Sequence, residues 1–230
     1  GLYQYAHEIC LLLALPVTAL NLAWPQFIFS NYARPEGRDL FARVHTYFAF
    51  FLIEIAFLMS AFSGQIVSLA GLRIPRYLAS AGVIPLLAGS VVFYGLSIVF
   101  ASGLYLKGKT HQLAMVVAAC AALNVALNIV LIPRMGKEGA ALAVLVTNLL
   151  MMASVLVFAQ MAFPIPFRLG RTFAGIVVGS LGIAALAFAT RGHPVFAGYL
   201  PRLLASLGFT AVLVGFLRVT PAGLGNAANM

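Results

Sequence analysis

The feature that most limits what this chain can fold into is the length of its apolar runs. Seven stretches, at roughly 8–30, 44–66, 79–106, 112–133, 138–162, 172–190 and 199–218, run about twenty residues each with almost no charge inside. About 20 apolar residues rising 1.5 Å apiece cross the ~30 Å hydrocarbon layer of a bilayer as a helix. A membrane β-strand needs only about ten residues, with alternating polarity. The runs therefore predict an all-α, polytopic integral membrane protein with about seven transmembrane helices. Composition agrees: 63% of residues are hydrophobic and 8% charged, too few to wet a fold whose soluble counterparts are about one quarter charged. Disorder, a coiled coil and a disulfide-stapled module are excluded on the same ground.

Most of the charge lies between the runs. The connectors hold Arg34/Glu36/Arg38/Asp39/Arg43, Arg73/Arg76, Lys107/Lys109, Arg134/Lys137/Glu138, Arg168/Arg171 and Arg191/His193. Turn chemistry recurs there, in Arg34-Pro35-Glu36-Gly37, Ile132-Pro133, Phe163-Pro164-Ile165-Pro166 and Gly192-His193-Pro194. The net charge is +9, but its basic residues are scattered and form no block that would track nucleic acid, so no such partner is expected. Connectors 31–43, 106–111 and 163–171 together with the tail carry eight basic residues, against six on the opposite set. The positive-inside bias then places the C-terminus in the cytoplasm, with 71–78, 133–138 and 191–198 outside. Cys10 and Cys120 each sit in an apolar run and read as small buried hydrophobes. The chain opens Gly1-Leu2-Tyr3, without Met or a charged leader, and reads as a piece of a longer protein.

Polar residues inside the runs are the candidate site residues. Glu54 lies near the middle of the second run, where a carboxyl costs about 2.5–3.5 kcal/mol to insert. Two readings stay open: a cavity-facing group that carries a proton or binds a cation, or a neutral carboxyl bonded to a neighbouring helix. Ser90, Tyr94 and Ser97 share one face of the third run, and Asn124 and Asn128 share one face of the fourth. Such stripes mark either a hydrated cavity or interhelical hydrogen bonds. Pro16 and Pro25 interrupt the first run and Pro85 the third, as in transporters with broken helices. Gly175-x-x-x-Gly179 reads as a helix-packing face.

Enzymes acting on prenyl or sugar diphosphates hold Mg²⁺ with clustered carboxylates. This chain has one Asp, and its only close acidic pair is the connector pair Glu36 and Asp39. His7, His45, His111 and His193 are far apart, and Gly108-Lys109-Thr110 lacks the upstream glycine of a phosphate loop. No metal, cofactor or catalytic residue is expected, and translocation is favoured over enzymology.

One stretch is more specific. Leu123-Asn124-Val125-Ala126-Leu127-Asn128, then Leu131-Ile132-Pro133-Arg134-Met135-Gly136-Lys137-Glu138-Gly139-Ala140-Ala141-Leu142-Ala143, resembles a signature of polysaccharide flippases. These belong to the multidrug/oligosaccharidyl-lipid/polysaccharide exporter superfamily. The physical expectation is that Ile-Pro ends one helix, Gly136 turns the chain, and Gly139-Ala140-Ala141 lets the next helix pack closely on its neighbour. Gly1-Leu2-Tyr3-Gln4-Tyr5-Ala6, Ala23-Trp24-Pro25-Gln26-Phe27 and Tyr77-Leu78-Ala79-Ser80-Ala81-Gly82-Val83-Ile84-Pro85-Leu86-Leu87 resemble further pieces in the family's order.

The resemblance covers about 1–162 and implies a partial C-terminal bundle of about five spans, with 163–230 adding two helices and a tail. It implies the second half of a two-bundle, alternating-access transporter in the inner (plasma) membrane. Its partners would be the bilayer, a polyprenyl-diphosphate-linked glycan, a coupling proton or sodium ion, and the absent N-terminal half. Within that frame the substrate or ion-cavity candidates are Glu54, Tyr94, Asn124 and Asn128. No Lys or Arg stands at mid-span depth to meet a diphosphate, which departs from what such a substrate wants. The alternatives are a cation-coupled small-molecule exporter of the multidrug and toxin extrusion type and a non-transporting membrane scaffold.

Overall fold

The computed structural model describes residues 1–70, 75–189 and 199–218, and among these every regular element is helical. The order is α1 (Leu2–Asn31), α2 (Gly37–Ala61), α3 (Ser63–Ala70), α4 (Pro75–Leu78), a 3-10 turn at Ala81–Val83, α5 (Ile84–Phe100), α6 (Ser102–Leu106), α7 (Thr110–Met135), α8 (Lys137–Ala162), α9 (Leu169–Ala189) and α10 (Tyr199–Arg218). Five helical rods are long and apolar enough to cross a membrane: α1, α2, the continuous Ala81–Leu106 rod, α7 and α8. In the last two helices the apolar stretches found are shorter, Leu169–Ala185 and Arg202–Gly215. The expected connector around Arg73, the connector 191–198 and the tail from 219 lie outside the described residues.

α5 is the centre of the bundle, packed on α1, α2 and α8; α7 packs chiefly on α8, and α9 on α2. Lipid tails are as apolar as leucine, so burial alone does not hold such helices together; close packing and interhelical hydrogen bonds do. Small residues supply the closeness. A methyl group at Gly95 would meet the Leu52 side chain at 2.6 Å and that of Val17 at 3.1 Å, so α5 lies close to α1 and α2 here and these side chains would have to shift to admit one. At Gly103 it would meet the Ala159 carbonyl oxygen at 2.6 Å, which fixes the α6–α8 crossing. The α9 glycines form the expected packing face: Gly175 lies against Phe50, Gly179 against Phe209 and Ile53, and Gly182 against Phe57.

Helix ends differ from the hydropathy runs in an instructive way. α1 starts at Leu2 rather than 8 and α2 at Gly37 rather than 44, because a helix continues past the hydrocarbon border wherever water can meet its side chains. The 31–37 turn is tight: a side chain on Gly37 would collide with the Asn31 carbonyl. Pro85 does not interrupt the third span. It occupies the first turn of α5, where its missing N–H has no helical partner to lose. Nor does Ile132-Pro133 end α7, which runs on to Met135. The stop is Gly136, with φ 59° and ψ −130°, a conformation open to glycine and strained for other residues. The expected close start of α8 is present: a side chain on Gly139 would strike the Leu131 carbonyl and Met135.

Successive long helices run antiparallel across short connections, so turns 31–37 and 106–110 and the strap 162–169 gather at one end. The α7–α8 turn and the α3–α4 segment gather at the other. At the first end Trp24, Phe27 and Phe41 stack together, and the indole N–H of Trp24 donates to Ser102 Oγ at 2.9 Å, tying α1 to α6.

Candidate functional site

The polar side chains of the long helices form three separate systems. The first is Glu54, the eighteenth of the 25 residues of α2 and about 10 Å from its Ala61 end at 1.5 Å per residue. The midpoint of α2 is Ala49, about 7.5 Å away, so Glu54 sits nearer the middle of the helix than its end. Its Oε1 lies 2.7 Å from the hydroxyl of Thr210 on α10. Its Oε2 is buried with no partner. Thr210 Oγ1 is also 2.9 Å from the Ser206 carbonyl. A hydroxyl has one hydrogen, so Thr210 donates to one of these two oxygens at a time, the Glu54 carboxyl or the Ser206 carbonyl. Arg202, two turns away on α10, spends its guanidinium on the Ala61 carbonyl at 3.0 Å and on Gln65.

The second system joins α7, α8 and α5. Asn128 Nδ2 donates to Asn124 Oδ1 at 2.9 Å, and Asn124 Nδ2 donates to Thr147 Oγ1 at 3.2 Å. Asn148 Nδ2 donates to the Ser90 carbonyl at 3.1 Å. Thus the two asparagines predicted to share a face do so, bonded to each other and to α8. Glu54 shares no hydrogen bond with them. Tyr94 is exposed on α5, while Ser90 and Ser97 are buried and donate to carbonyls of their own helix, at 2.7 and 2.6 Å. The serines of that stripe are self-satisfied, and its tyrosine faces outward.

The third system was not legible as one. On α1 the residues turned away from the bundle include Gln4, Glu8, Thr18, Asn21 and Gln26, interleaved with Leu11, Leu12, Leu15 and Leu22. Thr18 satisfies its hydroxyl on the Ala14 carbonyl at 3.0 Å, and Gln4 donates to Glu8 at 3.2 Å. At about 100° per residue these polar positions fall on one side of the helix, a signal that could have revealed this face. Averaging over twenty-residue windows hides it, because Leu and Ile dominate the mean.

His45 was set aside as an isolated histidine, yet its position is unusual. It is fully buried on α2, with Phe100 stacked 4.6 Å away and Phe167 4.9 Å away, and neither ring nitrogen has a partner. A cavity of about 290 Å³ opens between α2, α5 and α9, lined by Ile53, Phe57, Pro85, Gly89, Ile176 and Gly179 among others. Its wall is apolar apart from Ser60 and Ser180, and Glu54 is not part of it. Cys10 and Cys120 are both free thiols in the packed interior. Among the described residues, no three His, Cys, Asp or Glu side chains converge on a point where a metal ion could sit.

Comparison with protein-family models, curated proteins and solved structures found no match to this chain.

Proposed function

We propose that this chain is the second half of an alternating-access translocator that flips polyprenyl-diphosphate-linked oligosaccharides or polysaccharide repeat units across the inner (plasma) membrane. In this reading α9 and α10 cross the bilayer and bring the spans to seven, the protein is not an enzyme, and a second bundle faces α1. The observation that carries it is the outward face of α1. Asn21 and Gln26 on that face would be costly against hydrocarbon, where an unpaired amide has neither water nor a partner. A hydrated path shared with another bundle removes that cost, and a polar cargo needs such a path. The resemblance of 123–143 to the polysaccharide flippases supplies the cargo class. Glu54, bonded to Thr210, is the coupling residue of this scheme, since an ion drives transport only by binding one conformation better than the other.

The test is a reconstituted flipping assay on the protein with its upstream sequence, using a fluorescent polyprenyl-diphosphate sugar and a membrane-impermeant reductant. Label that becomes fully reducible over time supports the flippase. Export of a lipophilic cation with no movement of the lipid label replaces it with the multidrug-type reading. Movement of neither substrate leaves a scaffold.

A further inference from the structure

The end of the bundle that carries the 31–37 and 106–110 turns and the 162–169 strap draws two cations to one aromatic ring. The guanidinium carbon of Arg38, in the first turn of α2, lies 4.4 Å from the centroid of the Phe163 ring. The Lys107 ammonium, from the turn between α6 and α7, lies 5.7 Å from the same centroid. The two cations are therefore within about 10 Å of each other. Both side chains are exposed, and among the described residues neither makes an ion pair. In segments 31–43, 106–111 and 163–171 Glu36 and Asp39 are the acidic residues, against seven basic ones.

Like charges drawn to one ring repel each other. The ring face attracts each of them, and an anion between them would relieve the repulsion. The ring itself is held in place. Phe163 follows the last turn of α8, and its carbonyl lies where Gly103 leaves room for it. Two residues on, Ile165 is clamped by Gln160, which donates to its carbonyl at 2.8 Å and accepts from its N–H at 3.1 Å. Three apolar helices, α2, the rod ending at Leu106 and α8, begin or end at this point, which sets it at the hydrocarbon border. The anions concentrated at that depth are the phosphates of lipid headgroups.

We propose that Arg38 and Lys107, gathered over the ring of Phe163, form a binding site for the phosphate of an anionic phospholipid. Arg38 offers a fork that matches two phosphate oxygens, and Lys107 offers a point charge.

Native mass spectrometry of the detergent-purified chain with added phosphatidylglycerol or phosphatidylcholine tests this. The wild-type chain is expected to retain phosphatidylglycerol in preference, and Arg38→Gln with Lys107→Gln to lower its retention about fivefold or more per cation. Arg34→Gln with Arg168→Gln removes the same charge from the same end but not from the ring, and is expected to leave retention near wild type. An equal loss in both double variants, or no preference for phosphatidylglycerol in the wild type, would overturn the site. Phe163→Leu is expected to weaken retention with both charges present; unchanged retention would remove the ring from the site. Emission of the single Trp24 reports folding in every variant. Millimolar inorganic phosphate, set against sulfate of matched ionic strength, separates the sources: displacement by phosphate alone assigns the site to free phosphate, and no displacement assigns it to the lipid.

Discussion

Thr210 on α10 sits 2.7 Å from Glu54 on α2, joining two helices whose contacting residues are 156 positions apart. The threonine hydroxyl reaches the Ser206 carbonyl as well, so one side chain stands between the carboxyl of α2 and the backbone of α10.

Glu54→Gln keeps the shape and a donor, and is expected to leave thermal stability in detergent within about 0.5 kcal/mol of wild type. Thr210→Val removes the partner and is expected to cost about 1 kcal/mol, in the range of hydrogen bonds between membrane helices. In a double-mutant cycle with Glu54→Ala the coupling should be about 0.6 kcal/mol or more. A coupling of zero would mean that the contact holds nothing together. Under the proposed function Glu54→Gln also slows flipping while the folded protein stays in the membrane. Flipping unchanged over a range of external pH would leave Glu54 as a packing residue.

The turn between α7 and α8 should be intolerant at two glycines for different reasons. Gly139→Ala drives a methyl into the Leu131 carbonyl and is expected to cost about 1–3 kcal/mol, because backbone cannot step aside as a flexible side chain can. Gly136→Ala meets no atom within 4 Å. It must hold φ at 59°, and its expected cost is also about 1–3 kcal/mol, from backbone strain alone. Unfolding of each variant in detergent, followed by Trp24 emission, checks both. A second-site Leu131→Ala change should relieve neither, since the colliding atom is a main-chain oxygen.

The two ends of the bundle should lie on opposite sides of the membrane. Gly108 and Gly136 mark those ends, but both have positive φ, so neither is a good place for a new side chain. Thr110→Cys and Arg134→Cys sit beside them at exposed positions, in a background with Cys10 and Cys120 changed to Ala. A membrane-impermeant thiol reagent added to intact cells should label the cysteine at 134 and spare the one at 110. Labelling of both from outside would refute the assignment.

What could be read in advance was local. The all-α character followed from runs of apolar residues too long for strands. The Gly136 turn and the close start of α8 at Gly139 followed from residue types within one helical turn of each other. The pairing of Asn124 with Asn128 followed from a spacing of four. Errors came at the same scale, where two local rules compete. Pro133 was expected to stop α7, but the helix takes it in its last turn, and the chain stopped at the glycine three residues later.

The amino-acid sequence by itself determined that the chain folds as apolar helices, where most of them turn, and which side chains share a helical face. All of that depends on periodicity and backbone chemistry over three or four residues. Only the tertiary structure decided which faces meet. It turned Glu54 toward Thr210 rather than toward Asn124 and left Gln26 and Asn21 on the outside of α1. It buried His45 between Phe100 and Phe167, and set the Trp24 indole on Ser102, 78 residues away. These pairings depend on how each helix is rotated about its axis and how near its neighbours come. That is set jointly by small residues such as Gly95 and Gly103 on one helix and the side chains of another, a relation between distant segments that no single stretch of chain contains.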